Sequence, residues 1–376
     1  MPVRDKGRTK VIARPTVLIG LFLFTVLLAY PGSGLYAEHI GIEHEPQEYG
    51  KLAPVRTGTG VSLAPILAYE PTFGTIYGGA LFLDRPLTPQ YRLFTRLAFS
   101  TEEEYSVLLD LQQWVGTNTY FRLEVEVDDF SRPYYGEGMD TDPDNGILLK
   151  GTVSRVLYFL KFMDNGNVSM GPFLDYRGAE LKEVDGTGIA VPEYDEATLG
   201  LGVRFFYDIR DSHLNPTSGV FDTLTIRYVP DTLSTFKGSD TFFQAEVDHR
   251  IFYSPASGTV LAGRIHLAGS WGDPSYQYRY RLGGPYELRG FWNNRFRGDS
   301  LYLVQGEVRQ DLFWIFSGAA FAEVGEVTDH KFDSPETSYG GGLRMTLPPD
   351  HIAKARLDFA WAKDQHSIYL IFGEAF

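Results

Sequence analysis

The sequence predicts an all-β fold, a transmembrane antiparallel β-barrel of about 16 strands with one long loop inserted into its lumen. Three observations carry that prediction. In Phe121-Arg122-Leu123-Glu124-Val125-Glu126-Val127-Asp128 the odd positions are apolar and the even ones charged, a period of two that sends one set to each face of a strand. The composition is rich in rings yet polar overall: 15% aromatic, with 23 Tyr, 27 Phe and 40 Gly, but 22% charged. Strands that meet lipid on one face and water on the other need apolar residues only at alternate positions, whereas a bundle of spanning helices would be far more apolar. Finally, the connections between candidate strands alternate between short and long, as barrels with tight turns at one end require.

Taken in order, the chain opens with an export signal. Arg4, Lys6, Arg8, Lys10 and Arg14 form a basic start and Val17 to Leu28 an apolar core. Gly34-Leu35-Tyr36-Ala37 provides a cleavage site, so residues 1–37 read as a signal peptide. The apolar run falls short of the roughly 20 residues that span a bilayer as a helix. Residues 38–60 are polar, carry Gly and Pro, and read as a short periplasmic N-terminal segment, too small for a packed domain. No later apolar run reaches the length of a spanning helix, so residues 61–376 enter the membrane through strands, as an outer-membrane barrel.

Splitting at turn residues predicts strands at 61–70, 75–85, 91–100, 105–115, 119–130, 148–160, 167–180, 198–210, 218–230, 241–254, 258–271, 300–313, 316–327, 337–347, 353–363 and 367–376. An even number matches bacterial outer-membrane barrels, and closure removes the free edges that hydrocarbon does not tolerate. Short linkers such as Asp164-Asn165-Gly166 and Ser254-Pro255-Ala256-Ser257-Gly258 mark the periplasmic end, while 131–147, 181–197, 231–240 and 272–299 are the long outer loops. Closure pairs the last predicted strand with the first, which contains Pro65; proline cannot donate to a ladder, so this seam is expected to be weak. Ile368, Leu370, Phe372 and Phe376 alternate along the last strand and predict a lipid-facing stripe that runs to the terminus.

Charge and composition exclude several functions. Residues 1–37 take five basic residues and one acidic one from totals of 34 and 48, so the mature chain carries a net charge of −18. Nucleic-acid phosphates would be repelled. With no cysteine there is no disulfide, thiolate metal site or thiol nucleophile. Asp140-Thr141-Asp142-Pro143-Asp144-Asn145-Gly146 has the acids of a calcium loop, but Pro143 interrupts it and position twelve is Gly151, so it reads as a solvated outer loop and no metal site is predicted. The eight histidines lack ligand spacing, and neither His249 nor His266 completes a serine and carboxylate triad in the sequence. No phosphate loop or dinucleotide fingerprint is present. The expectation is a protein that is not an enzyme and has no cofactor, with an outer-membrane lipase as the least favoured alternative.

The longest connection holds Gly283-Gly284-Pro285-Tyr286-Glu287-Leu288-Arg289-Gly290-Phe291. Leu288, Arg289, Gly290 and Phe291 together resemble the aliphatic, arginine, glycine, aromatic signature of the bacterial surface antigen superfamily, the BamA/TamA-type outer-membrane barrels and two-partner secretion transporters. Further segments follow in that family's order. Asp208-Ile209-Arg210-Asp211 with Asn215-Pro216-Thr217-Ser218-Gly219 resembles its turn, and Phe321-Ala322-Glu323-Val324-Gly325 resembles its strand motif, with Glu323 in place of aspartate. Gly340-Gly341-Gly342-Leu343-Arg344 and Arg356-Leu357-Asp358-Phe359-Ala360 resemble its late strands, and Phe372-Gly373-Glu374-Ala375-Phe376 its aromatic-ended closing strand, which the family uses as an insertion signal. The resemblance covers about the second half of the chain.

The resemblance implies insertion or translocation of polypeptides at the outer membrane, and a loop latched in the lumen by Arg289 on Glu323. Arginine suits such a latch because its planar fork engages a carboxylate bidentately. Gly290 and Gly325 are expected to allow close backbone approach. The family's assembly and secretion members also carry periplasmic POTRA modules, which residues 38–60 are too few to form. The chain therefore reads as a POTRA-less member that works with outer-membrane lipids, client polypeptides and a separate POTRA-bearing partner; no oligomeric state is implied. A passive pore or structural barrel is the alternative function.

Overall fold

A computed structural model describes residues 60–376 apart from 71–73, 85–90, 103, 116–117, 165–166, 192–194, 214, 232–240, 330, 347–353 and 364. The expected signal peptide, and the segment 38–60 up to its last residue, lie outside the described residues. The strands in chain order are β1 (Gly60–Glu70), β2 (Gly74–Asp84), β3 (Tyr91–Ser100), β4 (Tyr105–Val115), β5 (Thr119–Tyr134), β6 (Ile147–Asp164), β7 (Val168–Asp185), β8 (Glu196–Asp208) and β9 (Gly219–Val229). They continue with β10 (Phe242–Ala256), β11 (Thr259–Trp271), β12 (Tyr280–Leu282), β13 (Phe296–Gly298), β14 (Ser300–Phe313), β15 (Phe316–Thr328), β16 (Glu336–Thr346), β17 (Lys354–Ala362) and β18 (His366–Phe372). All but β12 and β13 join one closed antiparallel barrel of nearest-neighbour strands, with β11 beside β14 and β18 beside β1. The barrel wall is the predicted set of sixteen strands. Among the described residues no helix is long and apolar enough to cross a membrane.

The period of two sorts the side chains as expected. On β5, Arg122, Glu124 and Asp128 are buried inside, and on β3 Arg96 and Ser100 are buried while Leu97 and Phe99 point outward and stay exposed. The core of this protein is thus a packed lumen in which charged residues lie among apolar clusters such as Phe159, Phe173 and Phe206, while the outer wall is covered by apolar residues. On β10 the outward rings of Tyr253 and Phe243, the latter 5.8 Å from Trp271, stand ten residues apart. At about 3.3 Å per residue and a tilt near 40°, that spacing is roughly 25 Å, the height of the apolar band of an outer-membrane barrel.

Three boundaries differ from the sequence prediction. β5, β6 and β7 are longer than expected, because Ser131–Tyr134 continues the ladder against Ile147–Lys150, which in turn pairs with Glu183–Asp185. Their pairing carries on beyond the apolar band although the alternation of burial in β7 ends near Ala179, so turn residues such as Pro133 do not stop the ladder. The loop 272–299 is not plain coil: β12 and β13 pair within it, Tyr280 opposite Gly298 and Leu282 opposite Phe296. The last strand ends at Phe372, four residues early. Gly373 adopts φ +88°, which turns the tail inward, and Phe376 is buried against Phe252 of β10 rather than placed on the outer face. Ile368 does lie exposed on that face. The side chain of Phe372 is outside the described residues.

The wall is uneven in height. β18 has seven residues and β17 nine, against eighteen in β6 and in β7. With the same rise and tilt, β18 spans about 18 Å and β6 about 45 Å.

Candidate functional site: the loop held in the lumen

Residues 272–299 leave β11 and fold back into the barrel. Gly283 and Gly284, at φ +105° and +120°, turn the chain after β12. A Cβ on Gly283 would stand 2.2 Å from the Trp292 carbonyl oxygen, so the turn closes only on glycine. Leu288 is also left-handed, at φ 48°, and fully buried. It packs with Leu282, Phe291 and Phe296 of the loop against Leu301, Leu303 and Val327 of the wall. This small apolar core sets the loop's depth.

Arg289 is the centre of the charged layer below it. Its Nε donates to Glu323 Oε1 at 2.6 Å and its backbone amide donates to Glu323 Oε2 at 2.7 Å. Nη1 donates to Glu307 Oε2 at 2.7 Å and to Asp358 Oδ2 at 3.3 Å, and the guanidinium stacks 3.4 Å from the centroid of Phe321. Glu323 also accepts from Ser338 and Gln305, both at 2.9 Å. The pair named from the sequence is thereby brought together. Glu307, Ser338 and Gln305 were not named from the sequence. Their signal is weak: Glu307 and Gln305 are polar residues at inward positions of β14, indistinguishable there from any lumen-facing side chain.

Around this layer the later motifs converge. Arg344 pairs with Asp358 and, at 2.9 Å, with Glu374; Arg309 pairs with Glu307 at 2.7 Å and donates to the Phe376 carbonyl at 3.1 Å. Arg356 donates to the Pro285 carbonyl at 3.0 Å, and Tyr369 of β18 to the Phe291 carbonyl at 2.9 Å. Gly342 leaves the space that Asp358 fills, since a Cβ there would lie 2.1 Å from its Oδ1. Gly290 lies against β17, where a Cβ would come within 2.6 Å of the Trp361 carbonyl carbon, and a Cβ on Gly325 would meet the Tyr302 carbonyl oxygen at 2.9 Å. In-turned Glu374 explains the early end of β18: its carboxylate lies with Arg344 and Arg309 instead of in lipid.

The other half of the loop reaches the opposite wall. Arg177 of β7 donates to the Gln277 carbonyl at 2.9 Å and stacks 4.0 Å from the Tyr278 ring. Gln244 of β10 donates to the Tyr278 carbonyl at 2.8 Å, and Thr198 of β8 bonds the Tyr278 hydroxyl at 3.1 Å. The loop is therefore a strut across the lumen from β7–β10 to β14–β18. At the long-loop end Arg279 is ringed by Glu137 at 2.5 Å, Asp329 at 3.4 Å, Asp299 at 3.6 Å and Asp273 at 3.7 Å. Burial first, and then repulsion from the other acids, outweigh the attraction of Arg279 and push the Asp299 carboxyl up to about 6.

The β8–β9 turn stands apart from this site. Asp208 takes Arg210 at 3.0 Å and His213 at 2.9 Å, and Arg210 stacks 4.1 Å from Phe221. Asp211 accepts the Thr217 and Ser218 amides at 2.9 and 3.1 Å. Burial raises the Asp211 carboxyl, but the hydrogen bonds from Thr217 and Ser218 outweigh it and hold the group below the usual carboxylate range. Pro216 lies buried in the turn. Gly219, at φ +107°, is needed because a Cβ would lie 2.3 Å from the Ile209 carbonyl oxygen.

Comparison with known proteins follows this layout. The Omp85 superfamily domain profile matches residues 151–376, from within β6 to the end, which is more than half of the chain. The crystal structure of BamA from Haemophilus ducreyi lacking POTRA domains 1-3 aligns with a TM-score of 0.62 at 14% identity, covering 84% of this chain and 70% of that one. CdiB from Escherichia coli aligns with a TM-score of 0.61 at 12% identity, covering 85% and 68%. Identities this low speak for the fold alone. No curated protein matches the chain. The family is one of bacterial outer-membrane barrels, and the apolar band, the closed sheet and the lumen loop agree with that location. The chain belongs to the Omp85 superfamily.

Proposed function

We propose that this barrel inserts or translocates polypeptides at the outer membrane, acting through the junction between β1 and β18. One observation carries the reading. Pairing across that junction is confined, among the described residues, to Tyr69 opposite Leu370, whereas β1 pairs with β2 along its whole length from Gly60 opposite Asp84 to Glu70 opposite Gly74. The register set by Tyr69 and Leu370 would place Pro65 opposite Glu374, beyond the end of β18. Proline offers no donor there and the tail has turned into the lumen, so β1 keeps backbone groups without a strand beside them. Such an edge is a template for an incoming strand, which gains main-chain hydrogen bonds by adding to it. Leaving backbone groups unpaired in hydrocarbon costs several kcal/mol each, so a client strand relieves what the closed junction leaves unmet.

The short wall supports the same reading. β16 to β18 and β1 lie beside the junction, and β18 spans less than the apolar band, so lipid must thin there to match it. The thinning lowers the barrier for a client to cross. A passive pore is the weaker alternative, because the loop bridges the lumen from wall to wall. Periplasmic delivery of clients falls, in this reading, to a separate POTRA-bearing partner.

The test uses the absence of native cysteines. Tyr69→Cys with Leu370→Cys, oxidised, closes the junction covalently. Folding of a reporter barrel into liposomes that contain the locked protein should fall to the rate of empty liposomes and recover on reduction. Equal acceleration by the locked and reduced forms would overturn the proposal.

A further inference from the structure

The outer wall carries an acid and a base where only apolar residues belong. Asp222 of β9 and His249 of β10 are register partners on the lipid-facing side, with His249 Nδ1 2.5 Å from Asp222 Oδ1. Both side chains remain more than a third exposed. Most of their surroundings are apolar: Ile265 beside His249, Val247 and Leu224 in the row towards the long loops and Ile251 in the row towards the short turns are exposed, Val220 opposite Ile251 is half-buried, and Tyr207 of β8 flanks Asp222 on its other side. His249 is four residues from Tyr253, the ring that marks the lower edge of the apolar band, so the pair lies about 10 Å inside it. Ionisable residues in that zone are expensive and mark functional contacts by default. Nδ1 of His249 is taken by Asp222, which leaves its second ring nitrogen and the second carboxylate oxygen of Asp222 to be met from outside the wall. Catalysis does not account for the pair, since neither residue bonds a serine among the described residues.

Beside it runs a strip with no side chain beyond Cβ. Gly263 of β11 is opposite Ile251, Gly306 of β14 is opposite Gly263, and Ala322 of β15 is opposite Gly306, all on the outer face. In lipid, where apolar surface alone gives no drive to associate, close packing at small residues and hydrogen bonds between polar side chains are what hold segments together.

We propose that this face is the contact between two copies of the chain in the membrane. The patch is self-complementary: a two-fold axis beside the pair sets the His249 ring of one copy against the Asp222 carboxylate of the other, and the reverse, while the small-residue strip lets the two walls close. A donor and an acceptor side by side specify a copy of themselves, whereas a helix or a lipid tail would have to supply both groups in the opposite order. The proposal is independent of the insertase reading, because it concerns the wall away from the β1–β18 junction.

Single cysteines test it in outer membranes containing the full chain. Ile251→Cys lies at the patch, and Val107→Cys lies exposed on β4, six strands away. Under mild oxidation I251C should give a disulfide-linked dimer in at least tenfold the yield of V107C, and adding Asp222→Leu with His249→Leu should reduce that yield to the V107C level. The double leucine change makes the wall more apolar and preserves folding, which the shift of the unheated protein on a gel checks directly. Native mass spectrometry of the unmodified protein in lipid nanodiscs should show two chains. Equal yields from I251C and V107C, a crosslink to a different protein, or a dimer yield untouched by the leucine pair would each overturn it.

Discussion

Replacing Arg289 with alanine removes a fully buried cation that reaches three carboxylates, and the structure tells which of them suffers. Glu307 keeps Arg309 at 2.7 Å and Arg344 at 3.6 Å. Asp358 keeps Arg344 and, at 3.3 Å, Arg356. Glu323 keeps only neutral donors among the described residues, Ser338, Gln305 and the backbone amide of residue 289. A fully buried carboxylate stripped of its cation costs about 3–5 kcal/mol. The lost stacking on Phe321 adds on the order of 1 kcal/mol. None of this loss falls on the ladder, so the strain concentrates in opening of the loop and not in unfolding of the barrel. A loss of 3–5 kcal/mol raises the opening equilibrium by roughly two to three and a half orders of magnitude. Hydrogen exchange by mass spectrometry should show amides within 283–296 losing protection by that factor, while those of β5–β7 stay unchanged. In planar bilayers R289A should conduct steadily where the native protein is blocked by its strut. Glu323→Gln in the R289A background should recover part of the protection, since it removes the orphaned charge. If R289A exchanges within twofold of the native chain, or E323Q worsens it, the latch does not hold the loop in this way.

Three further outcomes follow from the same geometry. Gly290→Ala should displace the loop from β17 and expose it to protease, because a Cβ meets the Trp361 backbone at 2.6 Å, and a compensating Ala362→Gly should recover little of the loss. Gly373→Ala should strain the inward turn by about 1 kcal/mol, and added residues after Phe376 should displace the tail from Phe252; either is read as slower barrel formation on unheated gels. The Asp299 carboxyl, raised to about 6 when folded, binds its proton more tightly in the folded state. Its contribution is therefore present below the unfolded value near 3.8 and is lost as pH rises through 6, so proteolysis of 272–299 should quicken across that window, and not in Asp299→Asn.

The wall could be read from the sequence because a strand between lipid and a polar lumen must alternate, and Phe121–Asp128 does so without exception. The ends could not. β5–β7 keep their pairing past the membrane, where both faces are wet and the alternation that marks a strand fades before the strand ends. The tail was misplaced for a different reason: Phe376 shares the parity of Ile368 and Leu370, but so does Glu374, and an acid on the lipid stripe was the sign that the strand had ended. Arg289 and Glu323 could be paired from motifs, whereas Arg177, Thr198 and Gln244, which hold Gln277 and Tyr278, have no local signature; they are ordinary inward residues given meaning by a loop that arrives from 34 to 100 residues away. The Asp222 and His249 pair was visible only as two titratable residues until register placed them side by side on the outside.

A ring braced by an internal tie cannot change its girth evenly. The strut from Gln277 and Tyr278 to Arg289 fixes the distance between β7–β10 and β14–β18, and Tyr276 beside it packs on Tyr134 of β5 and Ile147 of β6, so any added circumference must come from the remaining arc, β1 to β4. That arc begins beside the shortest strand of the wall. Growth by one strand would then swing β1 away like a door on the side of β2 and β3, while the braced arc, which carries every family motif, keeps its shape.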